Sequence, residues 1–280
     1  MSVKIIVDST ADLSRQAKEK MSAIVPLSVL FGEAEYKDGV TITPQKFYEM
    51  LATSQELPTT SQPTPAVFEE AYEEATADGS EVVVITISSR LSGTYQSATI
   101  AAEDFEGKVF VVDSRSAALG TGVLAEYALQ LAEAGMSGQQ ILETLMEKRK
   151  QVKLYAVLDT LEYLKKGGRI SSATAVVGGL LNVKPLICTD DDGRIGMAGT
   201  ARGMKKAFAT LNENCAKNGG VDRSMPTLVA YTGLSDENMR KYMEENGDLW
   251  PSDTNTTIVG ATVGVHAGPG AVAVGFFSVE

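Results

Sequence analysis

The stretch Glu81-Val82-Val83-Val84-Ile85-Thr86-Ile87, closed by Ser88-Ser89, decides the fold. An unbroken β-branched run bounded by hydroxyl residues reads as a strand buried on both faces, the kind that builds parallel sheets. Two further runs share its form: Val3 to Val7, ending in Asp8-Ser9-Thr10, and Lys108 to Val112, ending in Asp113-Ser114. Strands that end in Asp, Ser or Thr are expected to feed helix N-caps. Amphipathic helical stretches alternate with them, over Pro65 to Ala77, Thr94 to Asp104, Gly120 to Ala134 and Ser137 to Gln151. Strand and helix in alternation predict an α/β domain of three layers, α/β/α, with a parallel sheet. Ligands gather at the C-terminal ends of the strands in such sheets.

Around this frame the pattern changes twice. Residues 24–60 form an excursion: Ile24 to Leu30 reads as one strand, Tyr36 to Thr41 as a second, and Pro44 to Thr53 as a helix. From Leu154 onward a second, α+β domain with a mixed sheet is expected, which divides the chain into residues 1–153 and 154–280. Its strands are Leu154 to Leu158, Thr227 to Tyr231, Thr256 to Gly260 and Ala271 to Val279, with helices over Gly203 to Lys217 and Ser235 to Asn246. Val183 to Thr189 and Arg194 to Gly199 flank an Asp-Gly turn and read as a hairpin. Leu161 to Lys166 is a short helix that Gly167-Gly168 stops.

Composition narrows the function. The chain has 280 residues, 44% hydrophobic, and a formal net charge of -11. It lacks the basic stripe of a nucleic-acid binder, and an anionic membrane surface would repel it. An acidic ligand would therefore have to be captured by local chemistry against the global field. Cys188, Cys215 and the single histidine offer no metal spacing, so no metal or cofactor is expected, and the thiols read as inert in a reducing compartment. Neither a signal peptide nor an apolar run long enough to span a membrane stands out, so cytoplasmic residence is expected.

Four segments carry chemistry. Thr59-Thr60-Ser61-Gln62-Pro63-Thr64-Pro65 puts three hydroxyls before two prolines and a helix, where they cap the helix or donate to an anion. Ser88-Ser89-Arg90-Leu91-Ser92-Gly93-Thr94 opens a second helix, with Ser92 as a hydroxyl donor and Gly93 permitting close approach to a free N–H. His266 stands in Gly264-Val265-His266-Ala267-Gly268-Pro269-Gly270, read as a loop between two strands. Leu164-Lys165-Lys166-Gly167-Gly168-Arg169 is a capped helix end whose cations suit its C-terminus, or a segment that aims Arg169 at an acid group. Arg202, between Ala201 and Gly203, is a further arginine in a turn-like setting that could face a partner or a phosphate. Ala175 to Leu181 is equally a tunnel wall or plain core.

Together these segments resemble the DegV family of bacterial lipid-binding proteins, in its FakB-like branch. The matching motifs are Asp8-Ser9-Thr10-Ala11-Asp12, Thr60-Ser61-Gln62-Pro63, Ser88-Ser89-Arg90-Leu91-Ser92-Gly93-Thr94-Tyr95, Gly167-Gly168-Arg169-Ile170-Ser171 and His266-Ala267-Gly268-Pro269-Gly270, in the family's order along nearly the whole chain. The resemblance implies two α/β domains around one buried long-chain fatty acid, with no catalysis by the carrier itself. Thr60, Ser92 and the Gly93 N–H would bind the carboxylate, with His266 and Arg169 beside it and Ser61 and Arg202 behind the head group or facing a partner. It implies a separate ATP-dependent fatty acid kinase as partner, making an acyl phosphate for phospholipid synthesis. One position departs: Val265 precedes His266 where Thr is expected.

Two other readings use the same residues. A serine hydrolase would pair Ser92 with His266, although Arg90 stands where the nucleophile elbow needs Gly. A sugar-binding protein like a dihydroxyacetone-type kinase subunit would use His266 covalently, but the sequence carries no Walker pattern for a nucleotide.

Overall fold

The computed structural model describes residues 2–170 and 182–279. The three apolar runs form β1 (Val3–Asp8), β6 (Glu81–Thr86) and β7 (Val109–Asp113). With β2 (Ala23–Val25) they make a four-stranded, all-parallel sheet in the order β2-β1-β6-β7. The period of two along the strands divides their side chains between two layers. Ile6, Val82 and Val84 pack under α3 (Pro65–Thr76) and α4 (Thr94–Ala102). Ile5, Val7, Val83 and Ile85 face α5 (Ala118–Glu133) and α6 (Gly138–Lys148). The three-layer expectation holds. Ser137 and Gln140 start α6 with a reciprocal capping box.

The strand ends behave differently from the expectation. Asp8 caps no helix: its Oδ1 accepts from Thr10 and its Oδ2 from the Ile87 N–H (2.7 Å), tying the end of β1 to the end of β6. Asp113 likewise accepts from the N–H groups of Ser89 and Arg115. Helix α4 begins at Gly93 and α5 at Ala117, neither with a side-chain cap.

A second sheet has six strands in the order β10-β9-β8-β13-β11-β12 and is mixed. Its members are β8 (Val152–Val157), β9 (Val183–Thr189), β10 (Ile195–Arg202), β11 (Leu228–Tyr231), β12 (Asn255–Ile258) and β13 (Val272–Phe277). Only β11 and β12 run parallel; the other neighbours are antiparallel. The outer face carries Tyr155, Val157, Val272, Val274 and Phe276 against α8 (Met204–Lys217), α9 (Glu237–Asn246) and Trp250. The inner face shares one core with the parallel sheet through α5, which is buried between them.

The excursion departs from its expected form. The stretch Ile24 to Leu30 is two strands, because Pro26 has no N–H for a ladder. The chain leaves the parallel sheet at Val25 and enters a three-stranded antiparallel sheet, β4-β3-β5, as β3 (Ser28–Phe31). Strand β4 is Ala34–Lys37, so of Tyr36 to Thr41 only the first two residues are strand, and Gly39 to Thr41 form a turn. Strand β5 is Thr59–Ser61, and α2 is Pro44–Thr53. Below this sheet lies α10 (Ala261–Ala267). His266 therefore sits in the last turn of a helix, not in a loop. The remaining short helices are α1 (Arg15–Lys20) and α7 (Glu162–Lys166), the latter ended by Gly168 at φ +68°.

Candidate functional site

A cavity of about 290 Å³ opens where the C-terminal ends of β1 and β6, the inner face of the six-stranded sheet, β5 and α10 converge. Thr10 and Ile87 come from the strand ends, as expected of a parallel sheet. The hollow has a sequence cause. On β8 and β13 the inward positions Ala156 and Ala273 face each other in register. The outward neighbours on the same strands, Tyr155 and Val272, are bulky and packed. Small residues on one face leave unfilled volume there. Ala117 and Ala118 at the start of α5 add to the gap, and Ile187 and Ile195 of the β9–β10 hairpin wall one side. An apolar cavity of about 150 Å³ holds a benzene. By proportion this one takes an apolar body of roughly a dozen carbons.

One end is polar. His266 Nε2 lies 3.0 Å from Thr60 Oγ1. His266 Nδ1 is buried and has no partner among the described residues. Burial first, and then the nearby Arg169 charge, push the imidazole down to about 4, so it is neutral at pH 7. A buried N–H without an acceptor is rarer and costlier than a buried acceptor left unpaired. Of the two tautomers, the one with the proton on Nε2 therefore costs less among the described residues, and in it Nε2 donates to Thr60. The Thr60 hydroxyl then keeps its own proton for another acceptor. Gly167 makes this packing possible: a Cβ there would stand 2.1 Å from His266 Nδ1.

Ser92 Oγ lies 2.8 Å from Thr94 Oγ1 and accepts weakly from the Thr94 N–H. The Gly93 N–H has no acceptor among the described residues. Gly93 has an ordinary φ of -74°, so the absence of a side chain serves space rather than backbone freedom. A Cβ there would meet Gln62 Oε1 at 2.1 Å. Gln62 in turn donates to Ser97 Oγ at 3.1 Å and joins the β5 segment to α4. Arg169 donates to the carbonyls of Leu91 (3.3 Å) and Gly167 (2.6 Å), and pairs with no carboxylate among the described residues.

The structure thus gathers Thr60, Ser61, Ser92, Gly93, Arg169 and His266 around one cavity. Thr60 does so from a strand, not from a helix start: β5 pairs with β3, and α3 begins four residues after Ser61 with Thr64 as N-cap. Arg202 stands apart from the cavity. It ends β10, opposite Val183, and is exposed in a strand rather than a turn. The stretch Ala175 to Leu181 lies outside the described residues. Gln62 and Gly167 were quoted in motifs, but their roles become visible only from contacts between distant segments. Val265, at the departing position, is buried in one cluster with Phe47 and Tyr48; it does not line this cavity but does line the neighbouring one that also borders His266.

Thr60, Arg169 and His266 also border a second cavity of about 270 Å³, lined further by Pro58, Tyr163 and Lys166. These three residues are common to the linings of both cavities. The hydrolase pairing is not formed: Ser92 bonds Thr94, and His266 bonds Thr60. A polyol would find few partners along the apolar walls. Among the described residues, no cluster of three His, Cys, Asp or Glu side chains could hold a metal, and no helix is long and apolar enough to cross a membrane. Both cysteines are free, with burial pushing the Cys215 thiol up to about 12.

Comparison with known proteins agrees with this architecture. The model of an uncharacterised protein family, DegV, matches residues 2–279. A DegV domain-containing protein of Deinococcus radiodurans is 39% identical over 275 residues, covering 98% of each chain. A DegV family protein from Thermus thermophilus, described for its fatty acid binding, superposes with a TM-score of 0.90 at 34% identity, covering 100% of both chains. A stearic acid-binding protein from Eubacterium ventriosum superposes with a TM-score of 0.86 at 29% identity, covering 99% of this chain and 98% of the other.

Proposed function

This chain belongs to the DegV family, and on that premise we propose that it holds a single long-chain fatty acid and presents its carboxylate to a partner ATP-dependent kinase. The observation that carries the first part is the cavity itself: apolar along its walls, with donors collected at one end. The Thermus thermophilus and Eubacterium ventriosum proteins, described as fatty-acid binders, support it.

The energetics suit the role. Each buried methylene is worth roughly 0.8 kcal/mol. A dozen of them supply on the order of 10 kcal/mol before ordering costs. The acyl chain therefore sets affinity, and the head group sets direction. Thr60, Ser92 and the Gly93 N–H donate to the carboxylate, and His266 turns the Thr60 proton toward it. These donors are neutral. Arg169, close by, supplies positive charge without a carboxylate of its own to bind.

The kinase step rests on two supports. The second cavity shares Thr60, Arg169 and His266 with the first, so it offers the head group an approach at that end of the site. Arg202 is an exposed cation on a protein of net charge -11. In that step a carboxylate oxygen attacks the terminal phosphorus of ATP, ADP leaves, and the acyl phosphate feeds phospholipid synthesis. The carrier supplies no catalytic group, and the setting is the cytoplasm, where ATP is available.

Organic-solvent extraction of the purified protein, read by mass spectrometry, tests the first part. One fatty acid per chain is expected. An empty extract, together with no uptake of added fatty acid, refutes it. For the second part, Arg202→Ala should bind acid normally yet slow acyl-phosphate formation in a reconstituted kinase assay; an unchanged rate removes Arg202 from the partner surface.

A further inference from the structure

The motif Asp8-Ser9-Thr10-Ala11-Asp12 contains acids that touch no proposed ligand. Asp8, Asp12 and Asp38 are all buried, and none forms a salt bridge among the described residues. Buried carboxylates without a cation are costly, so their placement asks for a reason.

Helix α10 supplies it. Its N-cap is Gly260, which has no side chain to cap with. The acceptors come instead from far along the chain. Asp12 Oδ1 accepts from the Gly260 N–H at 2.7 Å. Asp38 Oδ1 accepts from the Ala261 N–H at 3.1 Å, and Asp38 Oδ2 from the Thr262 N–H at 2.9 Å. The Tyr48 hydroxyl donates to the Val259 carbonyl at 3.2 Å.

The opposite end of the same helix carries His266, bonded to Thr60. Asp38 follows β4, and Thr60 lies on β5 of the same small sheet. That sheet therefore grips α10 at both ends, and Asp12 fastens the first end to the parallel sheet as well. The helix has seven residues, too few to hold a helical conformation or a direction by itself.

We propose that Asp12 and Asp38 are positioning residues: they fix the start of α10 so that His266, at its end, meets Thr60 and orients that hydroxyl for the ligand. The importance of this for the ligand rests on the fatty-acid reading above; the mechanical claim does not.

The single histidine makes the claim measurable in ligand-free protein. Nitrogen-15 NMR of delipidated protein reads its tautomer and its titration midpoint. The wild type should show the Nε2–H form and a midpoint near 4. Asp38→Ala frees two helix N–H groups, lets water reach the ring, and should carry the midpoint toward the ordinary 6.5. Asp38→Asn, which preserves shape but turns an amide donor toward one of those N–H groups, should move it part of the way. Asp12→Ala should also raise it, and Asp12→Asn, which retains the oxygen that Gly260 uses, should restore the low value. In the same series, fatty-acid affinity should fall about tenfold in the Ala variants, the loss expected for one misaligned hydrogen bond to a charged group.

A folded Asp38→Ala protein, judged by near-ultraviolet circular dichroism, with an unchanged His266 midpoint overturns the proposal. Should that variant not fold, an unchanged midpoint in Asp38→Asn does the same. If wild-type protein binds no fatty acid, the functional reading falls, while the histidine titration still decides the positioning claim.

Discussion

Filling the alanine floor should shorten the ligand. Ala156 is 6% exposed, lines the cavity, and faces Ala273 across the β8–β13 ladder. Ala156→Leu adds three carbons there. At roughly 25 Å³ per carbon, the proportion set by benzene in its cavity, they occupy about 75 Å³. That is about a quarter of the 290 Å³ available. A long-chain acid then loses burial of about three methylenes, or about 2.4 kcal/mol. The affinity should fall roughly fifty-fold. An acid three carbons shorter should bind the variant as well as it binds the wild type. Because the new side chain enters existing space, overpacking is avoided and the melting temperature should hold or rise. Displacement of a fluorescent fatty acid by a series of saturated acids gives the needed profile. A loss that is equal at every chain length would refute the reasoning, because it would implicate the head group or the fold. No loss at any length would show that position 156 does not meet the acyl chain.

Three other outcomes are expected. Thr60→Ala and Ser92→Ala should each weaken binding by about 1 to 3 kcal/mol, the range for a lost hydrogen bond to a charged group, and equally for all chain lengths; unchanged affinity in both singles and the double would remove them from the head-group site. Gly167→Ala puts a carbon 2.1 Å from His266 Nδ1 and should displace the ring, raising the histidine midpoint and lowering affinity; NMR of the single histidine checks it. Asp12→Asn should gain stability over the wild type as pH rises. Burial holds the Asp12 carboxyl up to about 7, against an ordinary 3.8, so its contribution is complete below 3.8 and is lost as pH climbs through 7. His266, held down to about 4, works the other way and loses its contribution as pH falls from 6.5. The difference between variant and wild type isolates the carboxyl, and should grow by on the order of 2 to 3 kcal/mol between pH 5 and pH 8 in urea melts. A difference that stays flat contradicts it.

The parts of the fold that were legible are those whose cause is local. Val82 to Ile85 needs both faces buried wherever it sits, so the parallel sheet shows in the residues themselves. Ser137 and Gln140 announce α6, and Asp190 to Gly193 the hairpin turn. The parts that misled are made by distant segments. Helix α10 has glycine at its N-cap and two more glycines near its end; its hydrogen-bond acceptors are Asp12 and Asp38, more than two hundred residues away. No window around His266 contains them. Strand β5 is three residues long and exists because β3 lies beside it. Asp8 looked like a cap because its type and position suited one, yet its partner is the Ile87 N–H across the sheet.

The cavity was hidden for a related reason. Alanine at 156 and 273 is unremarkable in either strand, since each run is apolar throughout. Only the register, which sets them opposite one another, and the bulk of Tyr155 and Val272 on the other face, turn two small residues into a hollow. The hydroxyls of Thr60 and Ser92, by contrast, were visible in sequence as polar groups beside helix starts, and the structure places both on the cavity wall. Lining the site with several cations would bind a carboxylate more strongly, but on the fatty-acid reading the acyl chain would supply most of the affinity. On the fatty-acid reading, stronger head-group binding would add chiefly to residence time, which a delivery role disfavours. Neutral donors and one neutral imidazole, with an arginine beside them that pairs with no carboxylate among the described residues, would on that reading orient the head group at low cost to release.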